Sequence, residues 1–192
     1  MRHLPQTLLV FFASVFPLSA SAQIFDSVRA VAMSAVRADP VGSSAVVYNP
    51  AGMSRAYSYS AEIQYFRGGP NEVNAAGLAI VDSKTQPNFS VGVAYGYQFS
   101  DSSTDVRSKG HDARLAFAHP VMPGKLSIGV SGHYVSIDRE SDLTDDLEPL
   151  EGFTADLGAL MVLSPSVQLG LVGHNLIEFD DPAYPRQFGG GV

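Results

Sequence analysis

Ten consecutive residues, Ser90 to Phe99 (SVGVAYGYQF), alternate without a break between Val91, Val93, Tyr95, Tyr97 and Phe99 on one side and Ser90, Gly92, Ala94, Gly96 and Gln98 on the other. Period-two alternation over this length specifies a β-strand. One face is large, apolar and aromatic at its end, and the other is built of tiny or polar side chains. That is the reverse of what a soluble core needs, and it suits a wall with lipid outside and a crowded or wet lumen inside.

The amino terminus agrees with such a location. Arg2 precedes the apolar run Leu8 to Leu18, and Ala20-Ser21-Ala22 forms a small-x-small cleavage site, which together predict a secretory signal peptide over residues 1–22. No later segment approaches the roughly 20 apolar residues that a spanning helix requires, so any membrane crossing must use strands. Cysteine is absent, which removes a lipoprotein anchor and disulfides from consideration in the mature chain, expected to start near Gln23. Charged residues make up 16% of the chain, below the roughly 25% of soluble domains. The formal net charge of -7 becomes -8 once Arg2 is removed, which excludes a basic nucleic-acid interface. An acidic secreted soluble domain is the alternative class.

Alternating segments recur along the chain and predict strands at about 57–66, 73–81, 89–99, 111–119, 125–137, 153–163, 167–177 and 186–192. Most have the 9 to 11 residues that a tilted membrane strand needs. Short turns are expected at Ser83–Asn88, Pro120–Gly124 and Ser164–Ser166. Longer loops are expected at Ser100–Gly110, Asp138–Gly152 and Glu178–Pro185. Short turns on one side and longer loops on the other is the arrangement of outer-membrane barrels, with the short turns periplasmic and odd-numbered strands rising to the exterior.

Charges belong on the inner face, because a charged group facing lipid near the midplane costs about 2 to 4 kcal/mol. Leu126, Ile128, Val130 and Tyr134 then face lipid while Ser127, Gly129, Ser131 and His133 face the lumen. Ala113, Leu115 and Phe117 point out, with Asp112 and Arg114 in. Ala155, Leu157, Ala159 and Met161 point out, with Thr154 and Asp156 in. Val167, Leu169 and Leu171 point out, with Gln168 and His174 in. Asp112, Arg114, His133, Asp156 and His174 thereby fall near the exterior ends of four successive strands, as a lateral polar row. It is expected to be either a self-satisfied structural network or a selectivity ring near the mouth. No metal site is expected there. His111, at a strand start, and His119, before Pro120, are read as boundary residues.

The segment Gln23 to Ala56 is too weakly amphipathic for a membrane helix and too irregular for a strand. Within it Tyr48-Asn49-Pro50-Ala51-Gly52 sets Asn before Pro, followed by a small residue and a Gly, which is turn chemistry. This Asp39 to Asn49-Pro50-Ala51-Gly52 element, after a signal peptide and an Ala/Gly-rich lead and before alternating strands, resembles the N-terminal part of the long-chain fatty-acid transporter superfamily of outer-membrane barrels, PorV-like relatives included. Gly173-His174-Asn175-Leu176 before an acidic loop, and Tyr184-Pro185-Arg186 leading into Phe188-Gly189-Gly190-Gly191, are similar to segments that lead into the next strand in such proteins. The resemblance implies an all-β, antiparallel up-and-down transmembrane barrel. It also implies residues 23–56 as a hatch folded into the lumen, Asn49, Pro50, Ala51 and Gly52 at its functional turn, and strands over 57–192. It further implies residence in the bacterial outer membrane among its lipids and passive uptake of hydrophobic small molecules such as long-chain fatty acids.

The family barrel has about fourteen strands, whereas this chain supplies seven to eight, stops in mid-strand at Val192 and carries no terminal aromatic. A truncated record of a longer barrel is the expectation, and a complete eight-stranded barrel the alternative. Catalysis is not expected. Ser131 and His133 share a face, but Gly129-Val130-Ser131-Gly132-His133 lacks the last Gly of a nucleophile elbow and sits in a strand. Asp142, Asp145, Asp146, Glu148 and Glu151 miss the calcium-loop spacing and read as a solvated loop. Gly189 to Gly191 reads as inner-face packing. No cofactor is implied. A non-transporting barrel serving as a structural or secretion-partner platform is the alternative function, and a soluble sandwich, the third class, would bury Val91, Val93, Tyr95 and Tyr97 beneath a second sheet.

Overall fold

A computed structural model of the chain describes residues 42–67, 74–86, 88–100, 106–141, 149–177, 179 and 184–192. The expected signal peptide over 1–22, the part of the proposed hatch before Gly42, Asp39, and Asp142, Asp145, Asp146 and Glu148 lie outside the described residues.

Eight strands form one antiparallel sheet in sequence order: β1 (Tyr59–Phe66), β2 (Asn74–Asp82), β3 (Ser90–Ser100), β4 (Val106–Met122), β5 (Leu126–Ser141), β6 (Leu150–Ser164), β7 (Val167–His174) and β8 (Gln187–Gly191). Each strand pairs with its sequence neighbours, which is an up-and-down meander with β1 and β8 at the edges of the described sheet. The only helical turns among the described residues precede it: a 3-10 turn at Gly42–Ser44, a four-residue helix α1 (Ala45–Tyr48) and a 3-10 helix at Pro50–Arg55.

The alternation in the sequence becomes two unlike faces. Every strand leaves large apolar side chains exposed on one face: Ile63 on β1, Ile80 on β2, Val93 on β3, Leu115 on β4, Ile128 and Val130 on β5, Leu157 and Met161 on β6, Leu171 on β7 and Phe188 on β8. The opposite face buries Ala79, Val81, Ala94, Ala116 and Ala118 beneath Ala45, Val46, Val47, Tyr48 and Met53 of the preceding segment. The core is therefore made by a short helical segment lying on the small-residue face. Val93 and Tyr95 are exposed, and no second sheet covers them among the described residues, unlike the arrangement a sandwich would need.

Several sequence expectations require correction. β4, β5 and β6 are 17, 16 and 15 residues long, so the connections expected at Ser100–Gly110 and Asp138–Gly152 shrink to 101–105 and 142–149. The added length is polar and carries no apolar period. It is held by ladder pairing and by hydroxyls, as where the Ser108 amide donates to Ser100 Oγ at 3.2 Å. His111 consequently lies inside β4, with its Nδ1 2.6 Å from the Tyr95 hydroxyl, and is not a boundary residue. His119 is likewise within the strand, its Nδ1 2.6 Å from the Asn88 carbonyl oxygen.

The turn expected at Pro120–Gly124 is displaced to residues 123–125. Pro120 still pairs, opposite Ser127, and the register shifts immediately after it; a strand tolerates the missing N–H best at such an irregularity. β7 ends at His174 and not at Ile177, because Asn175 takes the left-handed conformation at φ 54° and turns the chain inward. Asn is among the few residues that occupy this region readily. In β8, Gly190 sits beside the Leu171 side chain on the exposed face, so the glycine run does not serve inner packing alone.

Candidate functional site

Two pieces of chain lie against the inner face, and the functional candidates sit where they meet it. The first piece turns at Asn49. Its backbone is extended (φ -162°, ψ 101°), as a residue before proline prefers. Its side-chain oxygen accepts a hydrogen bond from the Ala51 amide at 3.2 Å, capping the 3-10 helix that Pro50 begins. The side-chain nitrogen donates across a strand pair, to the Leu171 carbonyl at 3.1 Å and the Ala159 carbonyl at 3.4 Å. Ala159 and Leu171 are register partners in β6 and β7, so one buried amide ties the turn to two strands at once.

The seat for this turn is made of glycine. Gly129 and Gly158 are register partners in β5 and β6. A Cβ on Gly129 would run into the backbone of Pro50 and Ala51, and one on Gly158 into the Asn49 amide. On β3, a Cβ on Gly92 would come within 2.5 Å of Met53 Sδ and 2.6 Å of Val46 Cγ2. Three small positions in the sheet thus match the Asn49-Pro50-Ala51 turn and the two side chains beside it. Farther along, Ser43 Oγ donates to Glu62 Oε2 on β1 at 2.8 Å.

Asn49→Ala is expected to destabilise the fold by about 2 kcal/mol, from the loss of its amide bonds and of the cap. Asn49→Asp keeps the acceptor for Ala51 but points a carboxylate at two carbonyls, and should cost more than alanine. Thermal unfolding of the three proteins gives the order, and an aspartate variant as stable as the parent would contradict this geometry.

The five residues expected as a polar row come together, but as an interlocked cluster. Arg114 directs Nε at both oxygens of Asp112 at 3.0 Å, Nη2 at Asp112 Oδ2 at 2.6 Å and Nη1 at Asp156 Oδ2 at 3.2 Å. His133 lies between the two carboxylates, with Nδ1 3.3 Å from Asp112 Oδ1 and Nε2 3.4 Å from Asp156 Oδ1. His174 Nδ1 is 3.3 Å from Asp156 Oδ2, and Ser131 Oγ donates to the same oxygen at 3.1 Å. Each of the five is at most 6% exposed. The cluster lies at mid-strand in β4, β5 and β6, because those strands continue beyond the expected limits, while His174 ends β7.

The second piece of chain closes over this cluster. After the turn at Asn175, the Asn175 amide donates to Asp156 Oδ1 at 3.0 Å and its side chain to the Pro185 carbonyl at 3.1 Å. Thr154 Oγ1 donates to the Ile177 carbonyl at 2.8 Å. Phe179 and Tyr184 meet edge to face at 5.4 Å, and Tyr184 is buried with Val135, Ile137 and Leu150. Burial, with Asp112 nearby, pushes the Tyr184 phenol above its ordinary range, so it stays neutral over the carboxylates. Thr154, Asn175, Phe179 and Tyr184 escape the sequence reading as site residues. The left-handed preference of Asn directly after His174 is the signal that could have located the inward turn.

Chemically, the arrangement serves as a cross-strand pin. Arg114 occupies the carboxylate faces a cation would need, and Ser131 gives its proton to Asp156 and not to His133, so the Ser131–His133 pair is not arranged as nucleophile and base. Comparison with protein-family models, curated proteins and solved structures returned no match.

Proposed function

We propose that this sheet is part of the wall of an outer-membrane β-barrel that passes hydrophobic small molecules, such as long-chain fatty acids, past residues 42–56 acting as a hatch. The observation that carries the reading is the exposed apolar face, continuous across all eight strands and opposed by a face of buried polar and small residues. On β6 the outward positions Phe153 to Leu163 extend about 34 Å along the strand, which at a tilt of about 40° makes a band about 26 Å tall, close to the apolar belt of such barrels. Aromatic residues flank it: Tyr65, Tyr97, Phe99, Tyr134 and Phe153 in the strand halves beside the expected exterior loops, and Tyr57, Tyr59, Phe89 and Phe117 toward the other end. In lipid an unpaired edge leaves backbone groups unsatisfied, so β1 and β8 must be paired there, with each other or with further strands.

The alternative, a non-transporting platform, is favoured by a different observation. The inner face of β4 to β7 is covered by residues 42–56 and by the chain after His174, and the polar cluster between them is sealed from solvent. Expression in a Gram-negative host tests both readings. The chain should stay in the membrane pellet after alkaline washing, and recovery as a soluble periplasmic protein would defeat the membrane reading. In a host lacking its own transporter, uptake of labelled oleate above the background of the empty host, rising in an Asn49→Asp variant that still inserts, supports transport past a hatch. Correct insertion with no uptake supports the platform.

A further inference from the structure

The exposed face is not smooth. Between the stacked rings of Phe89 and Phe117, 5.5 Å apart, and the side chains of Ile128, Val130 and Leu157 it is indented by an apolar groove of about 490 Å³ whose floor is backbone at Ala118, Gly129 and Gly158. The side-chain positions of the two glycines point away from the groove, toward the Asn49 turn, so only their backbone faces it. His119 forms part of its wall on β4, and the three-residue turn that joins β4 to β5 carries Lys125, which is exposed.

We infer that the groove holds one acyl chain of a phospholipid whose anionic headgroup is met by Lys125 and His119. This rests on the membrane reading above. Three features support one seated lipid rather than passing solvent chains. The lining is almost wholly apolar, the stacked pair of Phe89 and Phe117 forms one side of it, and the charge carried by the adjoining turn 123–125 is positive, at Lys125. A cation at the headgroup level attracts an anionic lipid, whereas the apolar trough accepts its chain without headgroup preference.

The chain has no tryptophan, which makes the test direct. Phe117→Trp places a reporter in the groove wall, Leu157→Trp a second on the opposite wall, and Ile80→Trp a control on the same face away from it. Each protein is reconstituted into phosphatidylcholine vesicles containing increasing fractions of brominated phosphatidylglycerol or brominated phosphatidylcholine, and quenching is followed. The groove reporters should show about a fivefold preference for the brominated phosphatidylglycerol, the factor expected of one lysine at an anionic headgroup. The preference should vanish in Lys125→Gln, and Ile80→Trp should show none. Equal quenching at all three positions without preference means ordinary boundary lipid and overturns the site while leaving the membrane reading intact. Preference that survives Lys125→Gln overturns the headgroup assignment. Absence of quenching at every position overturns the membrane reading itself.

Discussion

Arg114→Leu is expected to destabilise the protein by about 3 to 5 kcal/mol, the scale on which breaking a buried ion pair leaves carboxylates without a counter-ion. Asp112 and Asp156 are 1% and 0% exposed, so neither can recover its hydration without opening the sheet or its cover. Arg114→Lys should fall between parent and leucine. It restores the charge, but a single ammonium cannot reproduce a fork that reaches Asp112 through Nε and Nη2 and Asp156 through Nη1. The double variant Arg114→Leu with Asp112→Asn should be more stable than Arg114→Leu alone, because it removes one of the two stranded charges. Urea unfolding in lipid vesicles, followed by tyrosine fluorescence, gives these differences. A loss below about 1 kcal/mol for Arg114→Leu would place the pair at the strength of a surface ion pair and end the description of the cluster as sealed.

This cluster marks where sequence reasoning succeeds and where it stops. The inward facing of Asp112, Arg114, His133, Asp156 and His174 follows from alternation alone, since each shares parity with the small or polar members of its strand and all five are buried. Eight strands in meander order were legible for the same reason, as period-two patterning is a local property. Strand length was not. The ends of β4 and β5 beyond the expected limits are built of residues such as Ser108, Gly110 and Asp138, whose pairing depends on the partner strand and leaves no apolar period. Underestimating those ends placed the cluster near the strand ends and turned a closed pin into an open row. The inward course after Asn175 is a tertiary event, fixed by Asp156 and Thr154 on a neighbouring strand. The purpose of Gly129 and Gly158 was equally hidden. In sequence each is one more small inner-face residue, and only the register that sets them side by side beneath Pro50 and Asn49 reveals a seat.

That seat gives the prediction that bears most directly on the proposed hatch. Gly158→Val should expel the Asn49-Pro50-Ala51 turn from the inner face while leaving the strands paired. Overpacking ordinarily costs about 1 to 3 kcal/mol, and here the obstruction is a buried amide anchored to two strands, which cannot rotate away as an exposed side chain could. Gly129→Ala meets backbone and should act in the same direction. Gly132→Ala is the control: its methyl would meet the Phe153 ring, an exposed side chain free to swing outward. Because the chain has no cysteine, Val47→Cys can report the state of the segment. Val47 is fully buried, so the thiol should resist a maleimide in the parent and in Gly132→Ala, and react in Gly158→Val and Gly129→Ala. If the thiol stays protected in Gly158→Val while the sheet remains folded, the turn does not depend on the glycine pair, and the fit between wall and segment loses its role in holding the hatch. If it reacts and oleate uptake rises with it, the segment is the barrier across the passage, and the small residues of the wall determine how firmly it is shut.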